Sequence, residues 1–78
     1  MHLEIITPDK TLFSGDVKSV TLPGKQGSFG VLNSHAPIVS SLKAGKIKVT
    51  DEQKNVQAFD VKGGVVEVSK NKVTVLAQ

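Results

Sequence analysis

Lys46-Ile47-Lys48-Val49-Thr50 alternates polar and apolar positions without a fault, and Lys72-Val73-Thr74-Val75 repeats the pattern near the end of the chain. Alternation of this kind places every second side chain on one face of an extended chain, which predicts half-buried antiparallel strands. Gln57, Phe59 and Val61 share one strand face, and Ala58, Asp60 and Lys62 share the other. The stretch Val17 to Leu22 is rich in β-forming residues, with Val20 and Leu22 on a common face. His2 to Thr7 and Val65 to Ser69 read as further strands. Valine dominates the apolar set, and β-branched side chains suit a pleated surface. No segment holds a 3.6-residue period over three turns. Ile38 to Lys43 is ambiguous, being short and set between Pro37 and Gly45.

Turn residues fall at short intervals. Thr7-Pro8-Asp9-Lys10, Ser14-Gly15-Asp16 and Pro23-Gly24 each read as turns, and Ala44-Gly45 precedes a clean strand. Asp51 to Asn55 reads as a polar hairpin loop, Gly63-Gly64 as a break, and Lys70-Asn71 as a final turn. Glycine and asparagine tolerate positive φ, and proline presets φ for a turn, so each expectation has a mechanism. Eight or more short strands at this spacing predict an all-β fold, a β-sandwich or flattened barrel. The 78 residues, 1–78, are expected to form one domain. A chain near this length buries only about 60% of the surface its unfolded form exposes, so docking on a partner adds to its stability.

Composition narrows the chemistry. There is no cysteine, which excludes disulfides and thiolate metal sites. The longest apolar run is Val75-Leu76-Ala77, against the roughly 20 residues needed to span a bilayer as a helix. The opening Met1-His2-Leu3-Glu4 lacks the features of a signal peptide, so a soluble, intracellular chain is expected. The net charge is +3 and all ten cations are lysine. Without arginine, tryptophan or tyrosine, a base-reading or base-stacking surface is poorly supplied. A small basic β-module binding nucleic acid is the alternative reading, resting on lysine content alone.

The stretch Leu22 to Gly45 concentrates glycine, proline and His35. Gly24, Gly27 and Gly30 recur every third residue, which raises the question of a phosphate loop. The pattern fails the Walker requirement, because Gln26 follows Lys25 and no helix-forming sequence opens downstream. It fails the dinucleotide fingerprint too. The glycines therefore read as turn and bulge positions. No cofactor and no metal site is expected: His2 and His35 are the only imidazoles, with no third ligand at a suitable spacing. His35 either hydrogen-bonds its own loop or projects toward a partner. No serine sits in a nucleophile elbow, and no carboxylate pair suggests acid–base catalysis. A non-catalytic binding module is what remains.

The run Leu22-Pro23-Gly24, Gly27, Phe29-Gly30-Val31-Leu32, His35-Ala36-Pro37 resembles the signature of the epsilon subunits of bacterial F-type ATP synthases. Ser41-Leu42-Lys43 with Gly45, Gly63 to Val68, Asn71 to Ala77, and the opening Leu3 to Pro8 with Phe13-Ser14-Gly15 resemble the same family in order and spacing. The resemblance implies a flattened two-sheet β-sandwich of about ten short strands. It implies a non-catalytic rotor subunit of the central stalk, peripheral on the cytoplasmic face of the bacterial inner membrane. Such a subunit joins gamma to the c-ring and turns with both, coupling ion translocation to ATP synthesis. It implies that Gly24, Lys25, Gln26, Gly27, Ser28, Phe29 and Gly30 contact the c-ring, and that Thr7, His35, Ala36 and Ser40 face gamma. No homo-oligomer and no nucleic acid partner is expected.

Two departures from the family shape the expectation. A glutamate often stands where this chain has Ser28, and a neutral hydrogen bond is about half as strong as a charge-assisted one. Docking mainly by shape and backbone amides is therefore expected. Many relatives also continue as a helical hairpin of about fifty residues, whereas this chain ends at Gln78. A naturally short protein is expected, with no hairpin-mediated inhibition and no ATP site.

Overall fold

The computed structural model describes residues 1–32 and 36–78. Among these, the regular elements are eight strands: β1 His2–Ile6, β2 Thr11–Gly24, β3 Gly27–Leu32, β4 Ile38–Leu42, β5 Gly45–Asp51, β6 Val56–Val61, β7 Gly64–Ser69 and β8 Lys72–Ala77. Alternation settles their faces. Leu3 and Ile5 point inward from β1, Ile47 and Val49 from β5, Val66 and Val68 from β7, and Val73, Val75 and Ala77 from β8. These side chains join Val17, Val20, Leu22, Val31, Leu42 and Val61 in one buried cluster to which every strand contributes.

β2 organises the sandwich. Its first half pairs antiparallel with β1, Leu3 opposite Gly15 and Ile5 opposite Phe13. Its second half lies between β3 and β5, with Val20 opposite both Val31 and Val49. One layer runs β2-β1-β8-β7-β4 and the other β3-β2-β5-β6. Fourteen residues of straight strand would span about 46 Å, yet the longest extent of the molecule is 27 Å. β2 must therefore bend from one layer into the other. The bend is visible as a register shift between Val17 and Ser19 opposite β5. Strict alternation from Val17 would turn Val20 outward. The extra residue, Lys18, reverses the parity, so that Val17 and Val20 are both fully buried.

Two further features close the structure. β1 and β8 pair in parallel, Leu3 opposite Val73 and Ile5 opposite Val75, which ties the first strand to the last. Phe13 of β2 and Phe59 of β6 meet edge-to-face, ring centroids 5.8 Å apart, and pack half-buried against the core.

The all-β expectation holds, and the two-layer sandwich forms with eight strands rather than about ten. The difference lies mainly in β2. Ser14-Gly15-Asp16 is not a turn but continuous strand opposite β1. Pro23-Gly24 is also strand, and the turn falls one step later at Lys25-Gln26. The Asp51–Asn55 loop forms as expected. Asp51 Oδ1 accepts from the backbone N–H groups of Gln53 and Asn55, both at 2.9 Å. This side-chain mimic of a turn holds Lys54 at φ 68°.

Candidate docking surface

The β2–β3 hairpin is built on the facing pair Gly24 and Gly27, with Lys25 and Gln26 exposed at its tip. Gly24 is buried, and its missing side chain is filled by others. A Cβ there would stand 2.6 Å from the carbonyl oxygen of Gly27 and 2.9 Å from Cε1 of Phe29. Gly27 takes φ +129°, a conformation open to glycine, and a Cβ there would meet nothing within 4 Å. Gly30 has neither reason: a Cβ would find its nearest neighbour, the carbonyl oxygen of Val20, at 3.9 Å. The triplet spacing thus covers a close approach, a turn and an ordinary strand position.

The hairpin is tied to the far end of β4. The N–H of Lys25 donates to the carbonyl of Ser41 at 3.1 Å, and the N–H of Lys43 donates to the carbonyl of Pro23 at 2.8 Å. Between the hairpin and β4 lies a cleft of about 690 Å³, bordered by Gly24 to Phe29 on one side and Ile38 to Ser41 on the other. A second, smaller cleft of about 360 Å³ begins where the first ends, since both share Lys25 and Ser41. It is bordered further by Lys43, Lys62, Gly63 and Gln78.

The structure unites some of the sequence-predicted residues and separates others. Ser40 joins Gly24 to Phe29 around the larger cleft. Ser28 is exposed on β3 opposite Pro23, and Phe29 is half-buried over Gly24. Gly30 does not border the cleft. Thr7 lies elsewhere, in the β1–β2 turn, where its hydroxyl donates to the carbonyl of Lys10 at 3.0 Å and accepts from the N–H of Lys10 at 3.1 Å. Ala36 is exposed just before β4. His35 lies outside the described residues. Among the described residues, no group of three histidine, aspartate or glutamate side chains could hold a metal ion.

Lys43 and Lys62, which border the smaller cleft, were not among the residues singled out from the sequence. A signal was available: between Asp16 and Asp51 the chain has no carboxylate, yet it carries Lys18, Lys25, Lys43, Lys46 and Lys48. A second surface also emerges. On the outside of the first layer, Ser41, Val65, Leu76 and Ile6 stand in register across β4, β7, β8 and β1. Val65 is 41% exposed and Leu76 56%, with Val39 of β4 at 71%. Clustered exposed apolar side chains of this kind mark interaction surfaces.

The family model described as "ATP synthase, Delta/Epsilon chain, beta-sandwich domain" matches residues 1–78, from the first residue to the last. The chain belongs to the ATP synthase delta/epsilon family. It is 47% identical over 77 residues to an ATP synthase epsilon chain of Campylobacter curvus, covering 99% of this chain and 60% of that one. It is 42% identical over 76 residues to an ATP synthase epsilon chain of Chlorobium limicola, covering 97% of this chain and 86% of the relative. In three dimensions it resembles a chain of the Tetrahymena thermophila mitochondrial ATP synthase central stalk and c-ring. There the TM-score is 0.83 at 25% identity, covering 100% of this chain and 63% of that one. The chain thus spans about three fifths of the length of the Campylobacter curvus relative, and the matched part is the epsilon β-sandwich.

Proposed function

We propose that this chain is the sandwich portion of a non-catalytic rotor subunit. It docks gamma onto the c-ring of an F-type ATP synthase at the cytoplasmic face of the bacterial inner membrane and rotates with both. The family assignment and the likeness to a central-stalk chain support the complex. The observation that carries the docking role is the hairpin: an exposed tip on a base locked by Gly24, Phe29 and backbone bonds to Ser41 of β4 and to Lys43 just after it. In this reading Gly24 to Gly30 rest on the ring. The apolar row of Val65, Leu76 and Ile6 packs against gamma with Thr7 beside it at the end of β1, and Ser40, on the opposite face of β4 from that row, reaches gamma from the side of the larger cleft. Ala36 is also assigned to gamma, as is His35, which lies outside the described residues. A stiff sandwich transmits torque without chemistry of its own and needs no cofactor.

The amide of Lys25 changes one detail of how the ring is held. It is committed to the carbonyl of Ser41, so shape and side chains carry the contact there in place of that backbone donor. The test is reconstitution of the 78-residue chain with purified gamma and c-ring, followed by affinity capture on a tag carried by gamma. Co-capture of chain and ring is expected. Assembly of gamma with the ring that leaves the chain in the flow-through would overturn the reading.

A further inference from the structure

The charges on the outside of the first layer run against the balance of the whole chain. The net charge is +3. Yet the charged strand residues of β1, β4, β7, β8 and the first half of β2 are Glu4, Asp16, Glu67 and Lys72, three carboxylates against one ammonium group. Glu4 has a partner in Lys72, whose Nζ stands 3.4 Å from its Oε1, and Asp16 has one in His2, whose Nδ1 stands 3.5 Å away. Glu67 is exposed and, among the described residues, has no ion-pair partner. It sits in register between Val39 of β4 and Thr74 of β8. Its cross-strand neighbours therefore offer it methyl groups and a hydroxyl, not an opposite charge.

Glu67 also borders a third cleft, of about 290 Å³, together with Pro37, Ile38, Val39, Val68 and Ser69. Four of these six residues are apolar, one is a carboxylate and none is a cation. A lone carboxylate does not hold a metal ion, which needs several oxygen ligands. Among the described residues, no group of three potential ligands forms one. The cleft suits a ligand that is apolar along its length and cationic at its tip. Lysine and arginine side chains have that chemistry, since their methylene stems pack on apolar surface while the charged head stays free to meet a carboxylate. One step along the strands lies the exposed row of Ser41, Val65, Leu76 and Ile6. Val65 is two residues before Glu67 on β7, a separation of about 7 Å along a strand. A polypeptide with a cation on Glu67 can thus lay its neighbouring apolar residues on that row.

We propose that the cleft at Glu67 receives a lysine or arginine side chain of gamma, its stem along Pro37 and Val39 and its charged head on the Glu67 carboxylate. The proposal rests on the gamma contact proposed above and adds the electrostatic part of it: on this face the chain is the anionic side, although its net charge is positive. The pair fixes alignment. Apolar burial is non-directional, so a row of apolar side chains tolerates sliding. A cation seated in one cleft allows a single register.

The test uses the complex of gamma and c-ring, immobilised through the tag on gamma and titrated with the 78-residue chain by surface plasmon resonance. Glu67→Gln should weaken binding about tenfold at about 0.1 M salt, between the small loss of an exposed pair and the large loss of a buried one. The gap to the parent should close to within about twofold at about 1 M salt, where screening acts within about 3 Å. Glu67→Lys sets like charges together and should weaken binding further at the lower salt. Glu52→Gln removes an equal charge from the exposed β5–β6 loop and should leave binding within about twofold of the parent. Because Glu67 is exposed, thermal unfolding of the variants should match the parent. Equal binding by the parent and Glu67→Gln overturns the proposal and leaves the rotor reading standing. So does a loss that is the same at both salt concentrations, because packing and not charge then carries it. Self-association of the parent chain that Glu67→Gln abolishes, read by sedimentation equilibrium, gives the cleft to a second copy and overturns it also. If the parent itself does not bind gamma and the ring, the rotor reading falls and the proposal falls with it.

Discussion

Replacing Gly24 by alanine tests whether the hairpin base is as tightly filled as its geometry requires. The added methyl would stand 2.6 Å from the carbonyl oxygen of Gly27 and 2.9 Å from the ring of Phe29, both closer than side-chain carbons are found. Neither neighbour withdraws cheaply. The Gly27 carbonyl belongs to the pair that closes the hairpin, and the strand beyond is tied through Lys25 to Ser41. Overpacking of this kind costs about 1–3 kcal/mol. In a domain of this size each kcal/mol moves Tm by about 4–8 °C, so a fall of about 10 °C is expected. Gly30→Ala is the internal control, because its methyl would meet nothing closer than 3.9 Å. Removing a strand-interior glycine relieves about 0.5–1 kcal/mol of entropic cost, so Tm should hold or rise. Thermal unfolding followed by far-ultraviolet circular dichroism reads both variants. In Gly24→Ala/Phe29→Leu the ring contact is relieved and the carbonyl contact remains, so only part of the loss should return. A Gly24→Ala protein as stable as the parent, or equal losses at Gly24 and Gly30, would refute the reasoning.

Other perturbations probe other layers of the structure. Ile47→Ala empties part of the core beneath β5, where Ile47 is fully buried, and should cost about 2–5 kcal/mol by urea titration at unchanged m-value. Asp51→Ala removes the acceptor of two backbone N–H groups in the β5–β6 loop. It should cost about 1 kcal/mol in the same assay, with amide exchange quickening at Gln53 and Asn55. Val65→Thr/Leu76→Gln alters only the exposed row on the first layer. It should leave stability within about 0.5 kcal/mol while reducing capture by gamma in the reconstituted complex.

Period-two alternation was enough to read the strand content and the inward residues of β5 and β8, because those strands are regular and face water on one side. It failed where the chain does two things in one strand. Ser14-Gly15-Asp16 has the composition of a turn, but Gly15 simply lies opposite Leu3 of β1. Nothing local distinguishes a glycine that turns the chain from one that a neighbouring strand covers. The spacing of Gly24, Gly27 and Gly30 suggested one shared role, whereas the reason at Gly24 is the carbonyl oxygen of Gly27 across the hairpin and the ring of Phe29, five positions later. The cleft that Lys25, Lys43 and Lys62 border was hidden for a different reason. Its members are brought together by strand ends that meet only through β2, β4 and β7. The absence of carboxylates between Asp16 and Asp51 was legible, but it says that the region is basic and not which lysines border one cleft.

The bulge at Lys18 links the core to the hairpin proposed to dock. Without an extra residue opposite β5, either Val17 or Val20 would face water, and a fully exposed valine forgoes about 1.5–3 kcal/mol of burial. With it, β2 crosses from one layer to the other and still buries Val17, Val20 and Leu22. Because the same strand continues to Gly24, its end arrives beside Leu42 of β4 rather than extending into solvent. The hairpin tip is thereby an extension of the core strand and is anchored to both layers. To move Lys25 independently, the molecule would have to break its bond to Ser41 and lift Phe29 from Gly24 together. A surface attached in this way is displaced with the whole sandwich and not by local bending, which is the mechanical property a coupling element requires.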